Sequence, residues 1–83
     1  MISKAIQAAF NNQINAETYS AYLYWSMSAD LEEKNLPGLA NWMRVQAQEE
    51  FNHAMKLFDF LNERGGTVEL LPLEAPTREW ASP

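Results

Sequence analysis

Asn41-Trp42-Met43-Arg44-Val45-Gln46-Ala47-Gln48-Glu49-Glu50-Phe51-Asn52-His53-Ala54 contains neither Gly nor Pro, and it sets a carboxylate and an imidazole three residues apart at Glu50 and His53. On a helix, positions i and i+3 are neighbours, so the two side chains share a face. Leu39, Trp42, Gln46, Glu49/Glu50, His53, Leu57, Phe60 and Arg64 recur at spacings of three and four, which predicts an amphipathic helix from about 37 to 64. Pro37 suits its first turn, where a missing N–H costs nothing. Gly65-Gly66 supplies a stop with left-handed capacity.

Upstream, residues 3 to 34 also lack Gly and Pro, with Ser3 placed as an N-cap. Ile6, Phe10, Ile14, Glu17, Ala21, Tyr24, Ser28 and Leu31 form a second helical stripe with one carboxylate at its middle. The expected elements are therefore two helices, about 3–34 and 37–64, each roughly 40–45 Å long at 1.5 Å per residue. Helices of that length joined by a short break belong to bundles. In such a hairpin, residues equally far from the turn share a layer. Taking Asn35 as the centre, Glu17 and His53 are equally distant from it, each roughly 27 Å away, and Glu50 lies one turn short of His53. Three side chains from two helices are thereby expected to converge.

A Glu-x-x-His pair alone arises by chance in about one chain in ten of this size, and an ordinary surface i,i+3 pair would explain it. Against that stands its place among apolar residues, because charged groups are seldom buried unless paired or metal-bound. The reading that remains beside a metal site is a hydrogen-bonded polar network that satisfies all three groups. Two carboxylates and one imidazole suit iron or manganese, and they also bind zinc. Tyr24, on the same face as Glu17, reads either as a core aromatic or as a donor beside the metal. Glu49 reads either as a solvated carboxylate or as a further ligand. Trp25, Trp42 and the four methionines read as packing residues.

Composition limits the rest. Eighty-three residues form at most one small domain, which needs support beyond its own core, and with no cysteine that support falls to oligomerisation or hard-ligand metal binding. A net charge of −5 without a basic cluster disfavours nucleic acid. Met1-Ile2-Ser3-Lys4 lacks the pattern of a signal peptide, and no apolar run reaches membrane-spanning length, so a soluble cytoplasmic protein with no membrane partner is expected. Residues 65–83 place Val68, Leu70, Leu71, Leu73 and Trp80 among Pro72, Pro76 and charges, an extended ordered crossover whose apolar residues need a surface. Ser82-Pro83 has the form of an N-cap and N1 proline, the start of a third helix.

Asn15-Ala16-Glu17 leading to Tyr19-Ser20-Ala21-Tyr22-Leu23-Tyr24, the quoted segment 41–54, and Arg64-Gly65-Gly66 resemble the first half of a prokaryotic non-haem ferritin, over the whole chain through Trp80-Ala81-Ser82-Pro83. The resemblance implies an all-α, ferritin-like four-helix bundle, of which residues 1–83 supply a long helix hairpin and the long crossover. It implies iron storage and detoxification by a ferroxidase that oxidises Fe(II) with dioxygen or peroxide at a di-iron centre, inside a 24-subunit homo-oligomeric shell with a mineral cavity. Glu17, Glu50 and His53 would carry one iron position, Glu50 would bridge to the second, Tyr24 would stand beside the centre, and Glu49 would bind an additional iron. This Glu plus Glu-x-x-His scheme is a stock example of di-iron bundles. Where bacterioferritins place a haem-ligating methionine after the bridging glutamate, this sequence has Phe51, so no haem is expected. The ligands that the family draws from its third and fourth helices are expected from a second half, in the same subunit or another chain. Two other roles stay open: a metal-free helical interaction module, and another ferritin-like di-iron oxidase such as a rubrerythrin-type protein.

Overall fold

The computed structural model describes residues 2–81, so the helix start expected at Ser82-Pro83 lies outside the described residues. Two helices account for all the regular structure among them: α1, Lys4–Glu33, and α2, Pro37–Glu63. They pack as a hairpin about 50 Å long and 20 × 13 Å across. The Ser3 side chain caps α1, accepting from the Ile6 amide at 3.2 Å, and Pro37 opens α2. Both expected helix starts are observed.

The two helices end in the same way. Asn35 (φ 58°) and Gly65 (φ 77°) take the left-handed conformation one residue beyond each C-cap. The next amides, of Leu36 and Gly66, then return to the carbonyls of Leu31 and Leu61, each at 2.9 Å. This motif usually sets an apolar residue over the last turn. Leu36 meets that pattern, but Gly66 does not. A Cβ there would run into Leu61 Cδ1 and come within 3.1 Å of Ile2 Cγ2, so Leu61, fully buried, already fills the space.

The seam between the helices differs from the one expected. On α2 the buried residues are Ala40, Ala47, Ala54 and Leu61, one every seven residues, facing Ile14, Ala21, Ser28 and Leu31 of α1. A seven-residue repeat keeps one seam in register along two long helices, and small residues let the backbones approach closely. Ser28 Oγ uses that closeness to donate to the Ala40 carbonyl at 2.6 Å. Leu39, Trp42 and Phe60, on the apolar stripe that two helices alone leave as an open groove, are 49%, 59% and 37% exposed. The expected stripe lies about one position round the helix from the real seam. Large apolar residues dominate a reading by hydrophobicity, whereas α1 selects alanines for their size. The bulky stripe forms an open apolar flank, on which Phe60 also meets Phe10 edge-on at 5.1 Å and lies under Arg64.

From Thr67 onward the chain runs back beside α1, and polar side chains of that helix hold it. The Thr67 amide donates to Gln7 Oε1 at 3.0 Å. Buried Asn11 donates through Nδ2 to the Thr67 carbonyl at 3.0 Å and accepts from the Glu69 amide through Oδ1 at 2.8 Å. Ser26 Oγ donates to the Thr77 carbonyl at 2.6 Å, and Lys34 Nζ, paired with buried Asp30 at 2.6 Å, donates to the Trp80 carbonyl at 2.5 Å. Extended backbone from Thr67 to Trp80 covers roughly 40 Å, and α1 from Asn11 to Lys34 covers roughly 35 Å. An almost straight strap therefore spans most of the hairpin. Within the strap Val68, Leu71 and Trp80 are half-buried, as expected, but Leu70 and Leu73 remain 75% and 38% exposed. On the strap side, Tyr22, Trp25, Arg44, Phe51 and Leu73 line a shallow groove.

Candidate metal centre

Mid-length positions on the two helices meet because the turn at Asn35 equalises their distances. Glu17 comes from α1, and Glu50 and His53 come from adjacent turns of α2. His53 Nδ1 stands 3.6 Å from Glu17 Oε2 and 3.8 Å from Glu50 Oε2, and one donor atom from each residue lies within 4.8 Å of the other two. Separations of 3.6 and 3.8 Å are too long for good hydrogen bonds. Two donors each about 2.1 Å from one ion, at ordinary coordination angles, stand roughly 3.0–3.6 Å apart. The His53–Glu17 separation lies at the end of that range and the His53–Glu50 separation just beyond it, so slight closure would let the trio share one cation, and the donor set of two carboxylates and one imidazole suits iron, manganese or zinc.

The carboxylates are electrically coupled. Contact with the Glu50 carboxyl holds Glu17 below its ordinary range, helped by Gln13 and His53 against partial burial. The same contact pushes Glu50 up, with burial and the Glu17 charge acting in the same direction and His53 opposing. Of the two acids Glu50 is thus the one that holds its proton to higher pH, the behaviour of two acids sharing one site. A divalent cation between them would compete with protons for these oxygens. Gln13, one turn before Glu17, donates through Nε2 to Glu17 Oε1 at 2.8 Å, so the two oxygens of Glu17 have separate partners.

The trio converges as its spacing predicts, but it is not sealed. Glu17 and Glu50 are 20% and 25% exposed and His53 is 54% exposed, because α1 covers only one side of them and the open flank of Leu39, Trp42 and Phe60 lies on the other. Tyr24 is half-buried two turns along α1 from Glu17. Glu49 is exposed on the outer flank and is not one of the three converging groups. Trp25 and Trp42, expected as packing residues, are 64% and 59% exposed within this chain. The sequence reading passed over Gln13, although a Gln four residues before a Glu on one helix is a recognised pairing that could have found it.

The family model for the ferritin-like domain matches residues 7–83. The chain belongs to the ferritin family. Among ferritin relatives it is 40% identical over 83 residues to a bacterial non-heme ferritin of Bacteroides fragilis, covering all of this chain and 52% of that protein. It is 39% identical over 82 residues to a probable bacterial non-heme ferritin-like protein of Haemophilus influenzae, covering 99% of this chain and 50% of that protein. In structure it matches an open pore ferritin from the hyperthermophilic archaeon Archaeoglobus fulgidus at 57% identity and a TM-score of 0.96, over all of this chain and 51% of that one. A humanized archaeal ferritin matches at 54% identity and a TM-score of 0.97, again over 51% of its length. The chain thus spans about half the length of the ferritins it matches. The fold class is that of the ferritin-like helical bundle, and the hairpin with its strap is the portion present here. No helix among the described residues is long and apolar enough to cross a membrane.

Proposed function

We propose that this chain supplies one half of a ferroxidase centre in an iron-storing, iron-detoxifying protein. The observation that carries this reading is the convergence of Glu17, Glu50 and His53, from two helices, at cation-binding distances. Family membership and the non-heme ferritin relatives support it.

In this reading Fe(II) is the substrate. Glu17 and His53 hold one iron position from opposite helices. Glu50, beside both, bridges to a second position whose remaining ligands come from two further helices, in the same subunit or another chain. Those helices cover the flank of Leu39, Trp42 and Phe60, shielding the centre from bulk water. Each Fe(II) yields one electron; dioxygen accepts two electrons and two protons to give hydrogen peroxide, or four of each to give water. Tyr24 stands beside the centre as a hydroxyl donor, and Glu49 offers a further carboxylate on the path by which Fe(III) leaves for a mineral cavity in a homo-oligomeric shell, of 24 subunits by family resemblance.

Stopped-flow oxidation of Fe(II) by the intact protein tests this. Glu50→Ala removes the one ligand proposed to touch both metals, and it also removes a carboxyl whose ionisation is disfavoured, so rapid oxidation should vanish while the helices persist. Oxidation at the parental rate by Glu50→Ala would refute the assignment.

A further inference from the structure

Glu17 has two oxygens, and the structure gives them different work. Oε2 faces the imidazole of His53 at 3.6 Å, while Oε1 accepts from Gln13 Nε2 at 2.8 Å. The terminal torsion of a glutamate is soft and broad, so nothing intrinsic to Glu17 selects which oxygen points at the centre. The partly exposed carboxylate also lies beside that of Glu50, which competes for the same oxygens. An amide N–H anchored one helical turn below opposes both tendencies. It satisfies one oxygen, compensates part of the charge, and presents the other oxygen to the site.

We infer that Gln13 is a positioning residue that makes Glu17 a one-oxygen ligand, directing Oε2 at the metal and withholding Oε1 from it. The inference rests on the reading of Glu17, Glu50 and His53 as a metal site. It adds a fourth residue whose contribution is orientation. Hydrogen-bond partners of metal ligands characteristically govern affinity by 10- to 100-fold when removed. An exposed i,i+4 amide–carboxylate pair, in contrast, adds little to a helix. A change at Gln13 should therefore be felt at the site and hardly in the fold.

Co(II), whose visible absorption reports the number and arrangement of its ligands, is a suitable probe in the intact protein, with far-ultraviolet circular dichroism recorded in parallel. Gln13→Met keeps the length of the side chain and removes the donor; Gln13→Ala removes both. Both variants should retain the parental helical signal, bind Co(II) roughly 10- to 100-fold more weakly, and show an altered absorption spectrum as Glu17 turns to use both oxygens. Affinity within twofold of the parent and a superimposable spectrum would overturn the role of Gln13 while leaving the metal site standing. Loss of helical signal in both variants would overturn it too, assigning Gln13 to the fold. If the parent takes up no Co(II), or Glu17→Ala binds it as the parent does, the metal-site reading itself fails and this inference fails with it.

Discussion

Removing the side chain of Asn11 should free the near end of the strap. Asn11 is 5% exposed and makes two bonds to it, Nδ2 to the Thr67 carbonyl at 3.0 Å and Oδ1 from the Glu69 amide at 2.8 Å. Each neutral hydrogen bond contributes a net of about 0.5–1.5 kcal/mol, so losing both costs about 1–3 kcal/mol. Because water can reach the freed backbone groups once the strap lifts, the full penalty for a buried unpaired group does not apply. The remaining tie at this end, the Thr67 amide on Gln7, is solvent-exposed and cannot hold the strap alone. Hydrogen exchange of the Glu69 amide in the intact protein is the direct assay. In Asn11→Ala it should speed up roughly 5- to 150-fold, the same 1–3 kcal/mol expressed as a local opening equilibrium, while amides at the centre of α1 and α2 change little. Unchanged protection at Glu69 would show that the strap is held by its apolar residues and not by Asn11.

Two further outcomes follow from the geometry. Gly66→Ala should destabilise the protein by about 1–3 kcal/mol in chemical denaturation, the usual cost of overpacking, since its methyl meets the fully buried Leu61 and Ile2; a loss below about 0.5 kcal/mol would mean that Leu61 has room to move. Metal affinity should fall as pH falls, because the Glu17 carboxyl pushes Glu50 above its ordinary range, so that protons compete there with an arriving cation. The loss should begin above the ordinary carboxylate range and approach about tenfold per pH unit for one displaced proton; Zn(II) binding measured across that range, with affinity flat until the ordinary range is reached, would contradict the upward push on Glu50.

The parts of this structure that obey local rules were readable in the sequence. Ser3, Pro37 and Gly65 bound the helices because caps and stops act on their own few residues, and the trio could be located because helical rise is constant, so distance from Asn35 measures depth. The α2 seam was misjudged because alanine is weakly hydrophobic. Ala40, Ala47 and Ala54 are buried for their size, and only the neighbouring helix reveals that. The strap's ties were invisible for another reason. Asn11 to Thr67, Ser26 to Thr77 and Lys34 to Trp80 join residues far apart in the chain, largely through backbone carbonyls that carry no sequence signature. The openness of the flank beside the trio was legible too, because two long amphipathic helices leave an apolar groove that only further helices can fill. Two helices can cover a site from one side only.

Anaerobic Fe(II) titration of the intact protein by calorimetry, comparing the parent with the Glu17→Ala, Glu50→Ala, His53→Ala triple variant, tests the central claim most directly. The account predicts tight Fe(II) uptake by the parent, with proton release, and loss of that uptake in the triple variant while its helical content is kept. Equal stoichiometry and affinity in both proteins would contradict it, as would a parent that takes up no Fe(II), which would leave Glu17, Glu50 and His53 as a metal-free contact between helices.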